Sequence, residues 1–368
     1  MLDRSYIRVS QLVKASFQVA PVINTLESIN LLHQVERLSG LGAWVNETWE
    51  ALTPEERDFL EVEKVFSPFW DFLMIQTSQL GSFEEYIQFI ENIAPEEYRD
   101  KFLSDITQYA TRYPEHYPYV TGPLTVEGIL NDVNTFKNVI CGKFNEKPDS
   151  FWQAMHQYLL EPTALLNYVT HFSRVFWEKY LKEEWQRNEV QLQESVNAFS
   201  EVNLPPMEPI ELIRAVTGRD MTGKMNNLEG IDEFIFIPHP HIGPYLTQID
   251  IGNQLFVTFG ARLPSGVRTA SQSQSSLSRA ELLTRLHALS DDTRLRILEL
   301  LKENEEMYAQ DIIEKLGLSQ SSASRHLSQL VATGFVLDRR KDVAKCYSLN
   351  PDRMFDTLQA LQELVTRL

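Results

Sequence analysis

The sequence predicts a mainly α chain: a helical N-terminal domain with a small antiparallel β segment, then a C-terminal unit of short helices closed by a hairpin. Three observations predict this. Apolar residues recur at helical spacing through most of residues 1–200. From Asn203 the pattern changes to prolines and short runs with strand propensity. Residues 307–349, MYAQDIIEKLGLSQSSASRHLSQLVATGFVLDRRKDVAKCYSL, then give a helix signal, a glycine turn, a second helix and an alternating basic run.

Residues 22–38 place Leu26, Ile29, Leu32 and Val35 on one side of a helix. Thr53-Pro54-Glu55-Glu56 is a helix start, with Thr53 as N-cap and Pro54 at the first position, and Ala94-Pro95-Glu96-Glu97 opens another. The longest helical run, residues 163–199, contains no Pro or Gly and is aromatic in its first half. All six tryptophans lie at or before position 185, a density that suits either core packing or an apolar ligand pocket. Asn203-Leu204-Pro205-Pro206 reads as a break. Residues 234–237, 245–251 and 255–259 read as strands, the last two joined by Gly252-Asn253. Between the first two, Pro238, Pro240 and Pro244 shape a rigid turn. His239 and His241 in that turn offer two metal ligands, but no cysteine or carboxylate stands at a spacing that completes a site, so no metal and no cofactor are expected.

Residues 264–277, rich in Ser and Gln and without periodicity, read as a linker between an N-terminal domain (1–263) and a C-terminal domain (278–368). Ser278 and Glu281 have the spacing of a capping box. Leu282, Leu283, Leu286 and Leu289 stripe the helix that follows, and Met354, Leu358, Leu361 and Val365 stripe the last one. Such stripes at both ends of a small domain call for a partner surface.

Within residues 307–349, a helix over 309–316 meets a turn at Gly317, and a second helix spans 319–331. Ala323, Leu327, Leu330 and Val331 make its apolar stripe. Ser319, Gln320, Ser321, Ser322, Ser324, Arg325 and Gln329 fall away from that stripe; short polar side chains let a helix approach a duplex, and Arg325 reaches a guanine edge or a phosphate. The hairpin that follows carries Arg339, Arg340 and Lys341 at its tip and Lys345 on its return strand, placed to lie along a phosphate backbone or to enter the adjacent minor groove. Helix, turn, helix and basic hairpin together make a winged helix-turn-helix.

At residues 286–301 (LHALSDDTRLRILELL), 316–330 (LGLSQSSASRHLSQL) and 334–349 (GFVLDRRKDVAKCYSL) the sequence resembles the DNA-binding domain of ArsR-type bacterial repressors. The resemblance implies a homodimer on a two-fold operator, with the two striped end helices as the dimer interface and repression relieved by an effector. Metal-sensing members carry a Cys-x-Cys pair at the start of the helix before the reading helix. Here Glu306-Met307-Tyr308-Ala309 stand in that place, so metal sensing is not implied.

The formal net charge of −17 is unexpected for a DNA binder, but it is unevenly distributed. Residues 278–368 hold 13 Lys and Arg against 14 Asp and Glu, so the acidity belongs to the N-terminal region and leaves a local basic face free to meet DNA. Two cysteines, Cys141 and Cys346, give no disulfide framework. No signal-peptide pattern opens the chain and no apolar run is long enough for a membrane span, so a cytoplasmic protein is expected. No G-x-S-x-G, P-loop, G-x-G-x-x-G or H-E-x-x-H is present, so no enzymatic activity is expected. The expected function is an operator-binding transcriptional regulator controlled through its N-terminal domain by an organic ligand or a partner protein. The alternative is a ligand-binding or catalytic N-terminal module whose winged helix serves protein contacts.

Overall fold

A computed structural model describes the chain except residues 1–11, 36, 39, 77–78, 115–116, 141–146, 220, 222–224, 226–227, 229, 252, 265–278, 305, 342–343 and 366–368. Cys141, the linker from 265 onward and Ser278 of the capping pattern lie outside the described residues. The fold is mainly α with small sheets. Compactness groups the chain otherwise than in sequence order: one unit is Ala20–His33 with Glu47–Arg187, the other Met1–Val19, Gln34–Asn46 and Asn188–Leu368.

The first unit is helical. Helix Pro54–Gln76 begins as its sequence implies: the Glu56 N–H donates to Thr53 Oγ1 (3.3 Å) and the Thr53 N–H to Glu56 Oε2 (2.8 Å), a reciprocal cap. Prolines at the first turn open helices Pro21–Leu32, Pro95–Arg112 and Pro162–Phe176, where the missing N–H costs nothing. The aromatic residues pack on each other. Phe59 stacks on Phe172 at 4.3 Å between Tyr168 and Phe176, while Phe66 meets Phe102 and Phe136. Ring pairs of this kind add about 0.5–1.5 kcal/mol each beyond area burial.

The long helix expected over 163–199 is interrupted by a π turn, Trp177–Leu181, between helices Pro162–Phe176 and Lys182–Glu201. The extra residue in that turn sets Lys179 and Tyr180, neighbours in sequence, on the same carboxylate. Glu56 accepts from Lys179 Nζ at 2.8 Å and from the Tyr180 hydroxyl at 2.8 Å.

The second unit contains a four-stranded sheet of order β1-β2-β4-β3, with β1 Lys14–Phe17, β2 Glu233–His239, β3 Leu246–Ile251 and β4 Gln254–Gly260. Only β3 and β4 pair antiparallel; β1–β2 and β2–β4 are parallel, which corrects the expectation of an antiparallel segment. The reason lies in burial. Phe234 to Ile237 and Leu255 to Val257 are buried on both faces, as central strands of a covered sheet are, and β3 supplies part of the connection that parallel pairing requires. Helix Pro209–Thr217 covers one face through Leu212, Ile213 and Val216.

The same unit contains the winged helix-turn-helix. Helices Arg279–Leu289, Asp292–Glu303, Ala309–Leu316 and Gln320–Ala332 precede the last helix, Pro351–Val365. Strands β5 Met307–Tyr308, β6 Val336–Lys341 and β7 Ala344–Leu349 form a sheet of order β5-β7-β6. Ile297, Leu298, Leu301, Ile312, Leu327, Leu330 and Phe335 close its core. Among the described residues no helix is long and apolar enough to cross a membrane.

Candidate nucleic-acid interface

Helix Ala309–Leu316 ends on Gly317 at φ +65°, a left-handed cap whose N–H bonds back to the Ile313 carbonyl. A residue with a Cβ would be strained there, so the turn depends on glycine. Ser319 then caps the reading helix, Gln320–Ala332, its Oγ accepting from the Ser322 N–H at 3.2 Å. Ala323, Leu327 and Leu330 are buried, and this anchors the helix on the domain core. Gln320, Ser321, Ser324 and Arg325 are exposed, Ser319 beside them, and Ser322 is half-buried. The first half of the helix thus presents small polar groups and one guanidinium on a rigid support.

The second half differs. Gln329, expected on the duplex side, is fully buried (0 %) and leaves the interface. Its Nε2 lies 3.4 Å from His287 Nδ1, and Gly40, at φ +84°, packs so closely that a Cβ there would come within 2.5 Å of the same nitrogen. A segment remote in sequence covers this part of the helix, so the burial cannot be read from the helix's own periodicity. His326 is buried too, with Nδ1 3.6 Å from the carboxylate of Asp291, the N-cap of helix Asp292–Glu303. Burial lowers the affinity of His326 for a proton; Asp291 opposes this, and Arg294 and Arg325 add to it. Nothing in the sequence singled His326 out, because histidine at that position fits either face.

In the wing, β6 and β7 pair antiparallel, with Arg339 opposite Cys346, Arg340 opposite Lys345 and Lys341 opposite Ala344. The three basic residues expected at the tip therefore belong to a strand that runs to Lys341. The side chains of Arg339, Arg340 and Lys341 lie outside the described residues. Lys345 is exposed, with Nζ 3.8 Å from Asp338.

The end helices need a second correction. Leu282 is buried within its own protomer and Met354 and Leu289 pack against the domain core, so these three offer little to a partner. Leu286 and Leu361 are half-buried, and the Val365 side chain lies outside the described residues. The exposed apolar residues are Leu283 (56 %) and Leu358 (57 %), joined by Phe355 and Leu364, which the stripe analysis missed. Phe355 stands one residue past Met354, so its exposure follows from how the last helix is turned on the core.

The proline turn is a built loop. His239 is buried and its Nδ1 accepts from the N–H groups of His241 (3.0 Å) and Ile242 (3.1 Å); His241 stacks on Trp44 at 4.5 Å. Gly243, at φ +60°, presses on the Gly40 carbonyl, where a Cβ would come within 2.0 Å. At the family's Cys-x-Cys position, Met307 and Tyr308 form β5 instead.

The family model of bacterial regulatory proteins of the arsR family matches residues 291–337. An arsenic resistance transcriptional regulator of Pseudomonas putida is 41 % identical over 64 residues, 17 % of this chain and 50 % of that protein. The transcriptional repressor SdpR of Bacillus subtilis is 36 % identical over 80 residues, 22 % of this chain and 88 % of that protein. The matched stretch thus spans half of one relative and most of the other. Among solved structures, the homodimeric winged helix-turn-helix DNA-binding domain of a possible ArsR-family regulator from Mycobacterium bovis is 30 % identical, covering 27 % of this chain and 91 % of that one at a TM-score of 0.20.

Proposed function

The chain belongs to the ArsR family of bacterial regulatory proteins, and on that premise we propose that it is a cytoplasmic transcriptional repressor that binds an operator as a homodimer and carries out no catalysis. The observation that carries this reading is the exposed Gln320-Ser321-Ser324-Arg325 edge of a helix whose opposite face is locked into the core. Exposed Leu283, Phe355, Leu358 and Leu364 support a second protomer: they lie on the two end helices, and apolar side chains clustered at one end of a small domain suit a two-fold contact. Two reading helices on one duplex face match half-sites one helical turn apart, about 34–36 Å. Control runs through the N-terminal residues 1–263, and the signal is an organic molecule and not a metal. The absence of cysteine at Glu306 to Ala309 supports that choice, as does the engagement of His239 Nδ1 by two backbone N–H groups.

The test is a titration of the purified protein on the DNA upstream of its own gene, repeated across salt. Tight, salt-dependent binding that Arg325→Ala weakens by about 5- to 150-fold, the equivalent of about 1–3 kcal/mol, is expected. Equal affinity for operator and random DNA, unchanged in the variant, rejects the reading.

A further inference from the structure

Within the unit that carries the sheet, an open-mouthed cavity of about 110 Å³ lies at the end of the reading helix. Its polar wall holds four arginines, Arg219, Arg262, Arg285 and Arg353, and one carboxylate, Glu281. Glu281 accepts from Arg285 at 2.6 Å and stands 3.4 Å from Arg262 and 3.5 Å from Arg353. Within the cavity wall one anion therefore serves three cations, while Asp356 acts on Arg353 from outside it. Asp338, outside the cavity wall, acts on Arg219 electrostatically, and the Arg219 Nη1 donates to the Pro244 carbonyl at 3.0 Å. Arg285 is only 2 % exposed, and its Nε is buried without a hydrogen-bond partner, as is the Nε of Arg262.

Such a group of cations is electrostatically incomplete. Burial works against the charge on Arg219, and it brings Arg353 down to about 10, with the neighbouring Arg285 adding to the effect. Burial also works against the charge on Glu281, but Arg262, Arg285 and Arg353 overcome it and hold the carboxyl below its usual range. Guanidinium groups fixed by backbone carbonyls make planar forks that match an oxyanion. The remaining wall is apolar, with Tyr245, Leu246 and Phe259. The volume is below the roughly 150 Å³ that encloses a benzene ring, so the cavity takes the anionic head group alone and leaves the carbon skeleton of an ester at its open mouth.

We propose that this cavity binds the phosphate of a small phosphate monoester, and that such an ester is the organic effector. A dianion suits a wall in which a single lining carboxylate faces four guanidinium groups. The effector role rests on the regulator reading given above; the anion site does not. The path to DNA is short. Arg353 Nε donates to the Thr333 carbonyl at 3.0 Å, at the C-cap of the reading helix, and a Cβ at Gly334 would meet that same Nε at 3.0 Å. Arg285 reaches Thr357 at 3.2 Å, on the helix whose Phe355 and Leu358 are exposed. A phosphate that draws Arg285 and Arg353 toward itself loosens both attachments, so it distinguishes two arrangements of the reading helix and the dimer helix, which is what an effector must do.

The experiment titrates the full-length protein with inorganic phosphate, phenyl phosphate and succinate at constant ionic strength set by chloride, following heat of binding and melting temperature. Operator affinity is then measured with and without phenyl phosphate. Phosphate and phenyl phosphate are expected to bind and raise the melting temperature where chloride does not. Arg219→Gln and Arg262→Gln are expected to weaken them at least tenfold, with Arg219→Lys retaining part of the affinity. Phenyl phosphate is expected to change operator affinity by about 5- to 150-fold. No binding at millimolar phosphate or phenyl phosphate overturns the site, even if a variant fails to fold, because the intact protein decides it. Succinate binding as tightly as phenyl phosphate overturns the phosphate assignment. Ligand binding that leaves the operator complex unaltered overturns the effector role. Phosphate binding by a protein that ignores DNA leaves the site standing and removes the regulator reading instead.

Discussion

Two sets of cations in this protein do opposite things with the same chemistry. Arg325 on the reading helix and Lys345 on the wing stand in solvent, and among the described residues Lys345 faces Asp338 at 3.8 Å. Arg219, Arg262, Arg285 and Arg353 line one cavity with Glu281 and are held in place, Arg262 by the Thr217 carbonyl at 2.9 Å, Arg353 by the Thr333 carbonyl at 3.0 Å and Arg285 by Glu281 at 2.6 Å. A solvated cation gains little from one fixed partner and is screened by salt, which suits it to a long polyanion where many weak contacts add. A buried cation is fixed in direction and screened little, so it discriminates a small group by geometry. On the readings proposed above, exposure is what assigns one set to a duplex and the other to a small anion in a chain of net charge −17.

The sharpest way to break this contrast is to remove the shared carboxylate. Glu281→Ala strands three buried guanidinium groups and is expected to cost about 3–5 kcal/mol of stability, read from urea unfolding. A loss below about 1 kcal/mol, the range of an exposed ion pair, would mean that the buried set is solvated like the other. Added phosphate is expected to recover part of the loss at the stranded arginines, and by more than equal chloride.

A smaller effect separates two residues of one helix. Arg325→Ala is expected to cost about 1–3 kcal/mol on the operator and nothing in stability. Gln329→Ala is expected to do the reverse, costing about 1–3 kcal/mol in folding because a buried polar site loses its group, while operator affinity per folded molecule stays the same. If Gln329→Ala weakens DNA binding in a fully folded protein, the buried position given to that side chain is wrong for the bound state.

These two residues also mark where sequence reasoning stops. The reading helix was legible because Ala323, Leu327 and Leu330 repeat at the period of a helix packed on its own domain, and Ser319 and Gly317 have the chemistry that its ends demand. The position of Gln329 was not, since its cover, near Gly40, comes from the far end of the chain. Strand β1 escaped notice for a similar reason: Lys14–Phe17 is a short edge strand with no alternation, and only its pairing with β2 defines it. The arginine cavity draws on positions 219, 262, 285 and 353, whose spacing follows no motif. Leu282 and Leu283 show how fine the margin is on an end helix: adjacent leucines, one in the core and one in solvent. Periodicity finds faces; it does not say what covers them.

Smaller still is the effect expected at the wing. Lys345→Ala is expected to weaken all DNA sequences alike and lower the slope of log affinity against log salt by about 1. A changed sequence preference with an unchanged slope would place Lys345 at a base edge and blur the distinction between a loose reader and a directed one.

The smallest effect concerns acid. His326 lies in the interior directly beneath the exposed edge that carries Arg325, and burial holds its proton affinity below that of an exposed histidine, the Arg294 and Arg325 charges adding to the burial and Asp291 opposing it. The unfolded chain, with a histidine pKa near 6.5, therefore takes up the proton first as pH falls. Stability contributed by neutral His326 is complete above about pH 6.5 and is lost as pH drops toward the lower folded value. Asp291 and Glu281 are carboxyls held below their usual range, so what they contribute is complete above about pH 4–4.5 and lost only in stronger acid. Between pH 7 and 5, then, His326 is expected to contribute to the fall of the urea midpoint in acid, and His326→Gln is expected to make that part of the profile shallower while leaving the steeper fall below pH 4 in place. A steeper loss in the variant would show instead that His326 takes up its proton within its pocket, with Asp291 close enough at 3.6 Å to hold the new charge, and the support under the reading edge would then be an ion pair that tightens in acid rather than a neutral core that fails.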